Sequence, residues 1–156
     1  MTFERTTDYE LVRRVVTHPR IWPGASDDFS PPAEEWRPIE HEALWYVAVR
    51  DGEEFLGLFV FVPASPVCWE VHTCLLPCSW GERAVQAARE VAEWIWLNSG
   101  CRRITTAVPA FNRLAHRLAR RAGMREYGRN LKSYMKHGKL HDQILLGLSP
   151  AEKKCQ

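Results

Sequence analysis

A chain of 156 residues, 46% of them hydrophobic and including seven Trp, six Phe and four Tyr, carries enough apolar surface for one core, and it departs from the polar composition that keeps a chain disordered. No apolar run approaches the roughly 18 residues of a membrane span, and the opening Thr2-Phe3-Glu4-Arg5 lacks the basic start of a secretory leader, so the expectation is a cytoplasmic protein with one domain over residues 1–150 and a short tail over 151–156. The net charge is only +2, but residues 1–101 hold 8 Lys/Arg against 16 Asp/Glu while residues 102–139 hold 11 against Glu126 alone, a cationic block suited to a nucleotide cofactor, a nucleic acid or an acidic partner.

Residues 2–6 read as a first strand. Asp8 then caps a helix that places Leu11, Val12, Val15 and Val16 on one side and ends before Pro19. Residues 22–38 hold four Pro, a Gly and several acids and read as a long loop or broken helix. Residues 44–50 and 54–63 are strands joined at Asp51-Gly52, a dipeptide suited to the positive φ of a tight hairpin, and residues 67–76 are a third long strand. Ser79-x-x-Glu82 matches a capping box, so the next helix is expected to start at Ser79, with Ala84, Ala88, Val91 and Ile95 inward and Asn98-Ser99-Gly100 as its stop. Trp94 and Trp96 fall on opposite sides of it, which leaves one ring for an oligomer contact and a possible homodimer. A strand over 104–108, a helix over 112–122 ended by Gly123, a strand over 124–129 and a last hairpin turning at Gly138 complete the order β-α-β-β-β-α-β-α-β-β, an α/β (α+β) fold with a mixed sheet.

The five Cys, at 68, 74, 78, 101 and 155, are odd in number and offer only Cys74-x-x-x-Cys78 near a metal spacing, so they read as free thiols and no metal is expected. Residues 75–84, Leu-Leu-Pro-Cys-Ser-Trp-Gly-Glu-Arg-Ala, run from a strand into a helix N-terminus, where unpaired amides and the helix dipole favour a pyrophosphate and Gly81 allows close approach. Any capped helix after a strand shares these features, and a Ser79 cap would occupy one of the amides a phosphate needs.

The order of elements, the strand ending in Leu76-Pro77, the Gly81 loop opening a long helix, and Pro109-x-x-Asn112-x-x-Ala115 followed by Ala122-Gly123-Met124 together resemble the GNAT (N-acetyltransferase) superfamily over roughly residues 44–148. Gly138-Lys139-x-x-Asp142 before an apolar strand is similar to the branch that acetylates ribosomal-protein N-termini, and the abbreviated form is similar to GNAT-like proteins encoded by bacteriophages, for which the setting would be the host cytoplasm. The resemblance implies acetyl-CoA as co-substrate and an amine acceptor: a protein N-terminus, a lysine or a small amine. It carries cofactor contacts onto Cys74, Leu75, Leu76 and Trp80, onto Gly81, Glu82, Arg83 and Ala84, and on the second long-range helix onto Asn112 and His116. Two departures stand out. The family's Arg/Gln-x-x-Gly-x-Gly/Ala pattern falls on Cys78, Gly81 and Arg83, so only the central Gly matches unless the register shifts to Ala84, and Ala119 occupies about the place of the Tyr that protonates the departing thiolate, a role that is either vacant or filled by Tyr127 or Tyr134.

On residues 69–76 a period of two puts Glu70, His72 and Cys74 on one face and Trp69, Val71, Thr73 and Leu75 on the other. Glu70, with His72 or a water between, is the candidate proton acceptor, and a backbone N–H near Leu75 or Leu76 the candidate donor to the thioester oxygen. A polar strand face in a solvated groove would look the same. Asn112 suits both a coenzyme contact and a plain helix cap, and Arg113, Arg117, Arg120 and Arg121 suit both phosphates and a solvated face. Trp22 and Trp36 suit an acceptor pocket or a pinned loop. Two other readings compete with an enzyme: a catalytically inactive binding or structural protein on the same fold, and a nucleic-acid binder, which no RNA-binding motif supports.

Overall fold

The computed structural model describes residues 1–151; Cys155 and the rest of the expected tail, residues 152–156, lie outside them. In chain order the elements are β1 (Thr2–Thr6), α1 (Tyr9–Val16), the one-turn α2 (Trp22–Ala25), β2 (Trp45–Asp51), β3 (Glu54–Pro63), β4 (Cys68–Leu75), α3 (Glu82–Asn98), β5 (Arg103–Pro109), α4 (Arg113–Arg121), β6 (Arg125–Lys136) and β7 (Lys139–Leu148). The strands form one sheet in the order β1-β2-β3-β4-β5-β7-β6. Antiparallel pairing runs from β1 to β4, β4 and β5 are parallel and joined through α3, and β7 inserts antiparallel between β5 and β6. This is the mixed sheet expected from the sequence.

Helices cover the sheet on both faces. On one, Ala87, Val91 and Ile95 of α3 and Ala119 of α4 pack on Val47, Phe59, Phe61, Trp69 and Leu75. On the other, Val12, Val15 and Val16 of α1 pack on Tyr46, Ala48, Leu58 and Cys74. β3 contributes to both, which is why its sequence is a near-continuous apolar run instead of an alternating one. Burying Phe59 and Phe61, each at most 1% exposed, stabilises the fold by about 1.5–3 kcal/mol apiece. The Asp8 cap forms, its carboxylate accepting from Leu11 N–H at 3.0 Å. Trp94 packs on Phe3 and Trp45, and both it and Trp96 are half-buried, each keeping part of its ring exposed.

Two boundaries differ from expectation. The strand over 124–129 does not stop there: β6 continues to Lys136, with a break in register between Asn130 and Tyr134 where Lys132 takes φ 50° and its N–H donates to Asp142 Oδ1 at 2.9 Å. α3 starts at Glu82 and not at Ser79. Ser79 instead lies in a 3-10 turn over Pro77–Ser79, where its buried hydroxyl donates to the Leu76 carbonyl at 2.7 Å, and Gly81 at φ 93° is the N-cap with no side chain capping the helix.

The pairing that matters most for the site is the shortest. β4 and β5 meet at three residue pairs, Cys68 with Arg103, Trp69 with Ile104 and Glu70 with Thr105. Beyond them β4 stays with β3 to Leu75, and β5 stays with β7 to Pro109. A V-shaped fork therefore opens between the C-terminal halves of two central strands. Its β4 arm is set by a bulge in β3, where the register against β2 shifts by one residue and Gly57 adopts φ 133°.

A Cβ on Gly57 would lie 2.4 Å from the Cys74 carbonyl oxygen and 2.8 Å from Leu75 Cα, both backbone atoms. Gly57→Ala is therefore expected to destabilise the fold by about 2 kcal/mol or more in urea denaturation, from backbone strain and overpacking together. Gly128→Ala, whose Cβ would meet only the Leu145 side chain at 3.6 Å, is expected to stay within about 0.5 kcal/mol of the parent protein.

Candidate active site

Glu70 is the last β4 residue paired with β5, and His72 is the first on the same face after the strands part. Their side chains meet, His72 Nε2 lying 3.0 Å from Glu70 Oε1. The His72 hydrogen bond holds the Glu70 carboxyl below the usual carboxylate range, against the opposing effect of its partial burial. A carboxylate ionised at neutral pH and an imidazole open to solvent thus stand at the apex of the fork.

The β4 arm presents backbone in alternation. Leu76 N–H donates to Leu56 O at 2.8 Å, so this amide is committed to β3. In an antiparallel ladder the preceding residue turns its polar groups the other way, which leaves the Leu75 N–H facing the fork. The Leu75 carbonyl faces that way too, and it accepts from Trp80 Nε1 at 2.9 Å. Cys74 turns its thiol into the core on the α1 face, where burial pushes the thiol pKa up to about 12, so the side chain does not reach the fork.

At the mouth of the fork, α3 begins at Glu82 after the N-cap Gly81 with no side-chain cap, and the amides of its first turn, at Glu82, Arg83 and Ala84, have no partner among the described residues and can meet an anion. The side chains around them are already paired. Arg83 lies 2.6 Å from Glu54 and 3.4 Å from Asp51 in the β2–β3 hairpin and donates to Cys78 O at 3.1 Å, which turns its guanidinium away from the helix end. Glu82 forms an ion pair with Arg121 of α4, which lowers its pKa. Ala84 is buried in the core.

The β5 arm ends at Asn112, the N-cap of α4, whose Oδ1 accepts from Ala115 N–H at 3.1 Å while its Nδ2 makes no hydrogen bond among the described residues. Capping therefore leaves its donor available. His116 Nε2 lies 2.6 Å from Glu126 on β6. Tyr134 donates its hydroxyl proton to Ser26 O at 2.8 Å, and burial with Asp27 and Asp28 nearby raises its pKa. Tyr127 lies under the Arg103 guanidinium on β6.

Sequence reasoning missed how the 18–28 segment crosses this site. Arg20 stacks on the Trp80 ring at 5.1 Å from its centroid, at the β4 side of the mouth. Gly24 passes Asn112 on the β5 side. Asp28 then accepts from the His137 and Gly138 amides at 2.8 and 2.7 Å, and Lys136 Nζ donates to Pro23 O at 2.9 Å and Ser26 O at 2.6 Å, so the segment is strapped to the β6–β7 hairpin. No local pattern announces contacts between residues more than 100 apart in the chain.

Comparison with known proteins agrees with this geometry. The family model for the acetyltransferase (GNAT) domain matches residues 1–125. Similar solved structures include spermidine N-acetyltransferase from Vibrio cholerae in complex with CoA and spermine, at 16% identity and TM-score 0.75, covering 95% of this chain and 94% of that one. Ribosomal-protein-S5-alanine acetyltransferase from Vibrio fischeri is similar at 14% identity and TM-score 0.68, covering 98% and 94%. A phosphinothricin N-acetyltransferase so described as putative is similar at 20% identity and TM-score 0.71, covering 97% and 99%. At these identities the likeness is one of fold. No curated protein sequence matches the chain.

The Glu70–His72 contact makes a direct prediction. Replacing His72 by Gln removes the imidazole that favours the ionised carboxylate, so the Glu70 pKa should rise, read from its side-chain carboxyl signal in an NMR titration. The sign for stability follows from the depressed value: the contribution of the pair is present above the unfolded carboxylate pKa and is lost as pH falls through the folded one. An unchanged Glu70 titration in His72→Gln would show the pair to be uncoupled.

Proposed function

We propose that this chain, which belongs to the GNAT acetyltransferase family, moves an acetyl group from acetyl-CoA to a primary amine at the β4–β5 fork. The observation that carries this reading is the coincidence of a parted sheet with an ionised Glu70 touching His72, on a strand whose alternation turns the Leu75 N–H toward the same opening. Amine acetylation needs these three: a channel for an extended thioester arm, a route for the amine proton, and a donor to the carbonyl oxygen whose charge grows in the transition state.

The residues divide the work as follows. The unpaired polar edge of β4 takes the amides of the coenzyme's pantetheine arm in the manner of an added strand, with Asn112 Nδ2 donating from the opposite arm. The free amides at the start of α3 receive the pyrophosphate. Leu75 N–H donates to the thioester oxygen. As the neutral amine attacks the thioester carbon, the N–C bond forms and the C–S bond breaks, Glu70 takes the amine proton through His72 or a water, and the departing thiolate takes one proton. Tyr134 supplies that proton only by leaving the Ser26 carbonyl, so solvent is the nearer source.

The strap across the acceptor side favours an amine at the end of a slender chain, such as a protein N-terminus or a small linear amine, over a lysine within a folded surface. A chain end can be threaded past a bridged entrance, whereas a continuous segment needs an open groove.

Calorimetric titration with acetyl-CoA, with ATP alongside, is expected to give saturable binding that ATP does not reproduce. Absence of binding by folded protein would instead favour a non-catalytic role for the fold. In single-turnover acetylation of a peptide N-terminus or a linear diamine, Glu70→Gln is expected to slow transfer by about 10²–10⁴-fold with acetyl-CoA affinity unchanged. Equal rates for Glu70→Gln and the parent protein across pH would remove Glu70 as the base.

A further inference from the structure

We propose that Arg20, in the turn between α1 and α2, is the cation that receives the coenzyme's phosphates at the mouth of the fork, and that Trp80 holds it ready. The proposal rests on the acetyl-CoA reading of the site and adds to it a residue from the opposite face of the sheet.

The helix end that would take a pyrophosphate is short of usable positive charge. Its first residue is Glu82, whose carboxylate is 81% exposed and is neutralised by Arg121. The one basic side chain in its first turn, Arg83, is claimed by Glu54 and Asp51. With both arginines matched to carboxylates, the backbone amides alone face a group that carries two negative charges.

Arg20 is placed to correct this. Its guanidinium lies 5.1 Å from the centroid of Trp80, the residue that directly precedes the N-cap Gly81, and it makes no ion pair among the described residues. Trp80 is itself fixed, because its Nε1 donates to the Leu75 carbonyl at 2.9 Å on the fork side of β4. Stacking occupies only the face of a guanidinium. The Arg20 guanidinium makes no hydrogen bond among the described residues, so its N–H groups remain for pairing two phosphate oxygens. The turn that carries Arg20 is anchored on both sides, by Ile21 in the core and by Arg20 N–H donating to His18 Nδ1 at 3.1 Å. The charge is thus held at the site before any ligand arrives.

The test compares wild type, Arg20→Gln and Arg20→Lys by calorimetric titration with acetyl-CoA at low and at moderate salt, with the thermal midpoint of each variant measured to confirm folding. Losing a charge-assisted contact to phosphate should weaken acetyl-CoA binding about tenfold or more in Arg20→Gln. The salt dependence of binding should flatten in the same variant, and Arg20→Lys should recover part of both effects. Arg20→Gln binding as tightly as wild type would overturn the proposal while leaving the acetyl-CoA reading intact. Weakening by the same factor at every salt concentration, without recovery in Arg20→Lys, would overturn it in favour of a packing role on Trp80. A folded wild-type protein that binds no acetyl-CoA would sink the reading of the site and this proposal together.

Discussion

Two strands lying side by side satisfy each other's amide groups, and two that separate leave those groups exposed in the middle of a sheet. Such groups are costly when buried without partners. In this fold the separation happens between β4 and β5, which part after Glu70 and Thr105. Each strand keeps its other neighbour, β3 or β7, so the sheet holds while one edge of each arm goes unmatched. Part of that edge is satisfied internally, as when Trp80 donates to the Leu75 carbonyl. What remains is a polar slot lined by backbone, shaped for an extended chain of amides. The bulge at Gly57 is the local condition for it, because β3 can approach the end of β4 so closely only where no Cβ intervenes.

Charge is organised around this slot by pairing more than by accumulation. The cationic block over residues 102–139 suggests a broad basic surface, yet Arg120, Arg121 and Arg129 face Glu126, Glu82 and Asp142, and Lys136 binds backbone carbonyls. Exposed pairs of this kind add little to stability, because water and salt screen them. Their larger effect is to remove individual cations from the pool that could meet an anion. What distinguishes a basic side chain here is therefore whether a carboxylate already claims it, a property that composition does not contain.

The features legible in the sequence are those set within a few residues. Asp8 and Asn112 cap their helices, Asp51-Gly52 turns the β2–β3 hairpin, and the period of two along β4 puts Glu70 beside His72. Ser79-x-x-Glu82 carries an equally good local signal and fails, because the Ser79 hydroxyl finds the Leu76 carbonyl first and the left-handed Gly81, as N-cap, fixes the helix start at Glu82, three residues beyond it. The break between Asn130 and Tyr134 was invisible for a related reason: Asp142, across the hairpin, stabilises the backbone at Lys132. The direction of Arg83 and the anchoring of Tyr134 to Ser26 depend on partners 29 and 108 residues away. No periodicity encodes such contacts.

The 18–28 segment joins these levels. It touches Trp80 at one arm of the fork through Arg20, passes Asn112 at the other through Gly24, and ends bonded to the β6–β7 hairpin through Ser26 and Asp28. Arg20 and the residues bonded to the β6–β7 hairpin thus belong to one short piece of backbone. Ile21 holds the segment in the core between Arg20 and Gly24, so the contacts at Trp80 and at Asn112 share one apolar anchor.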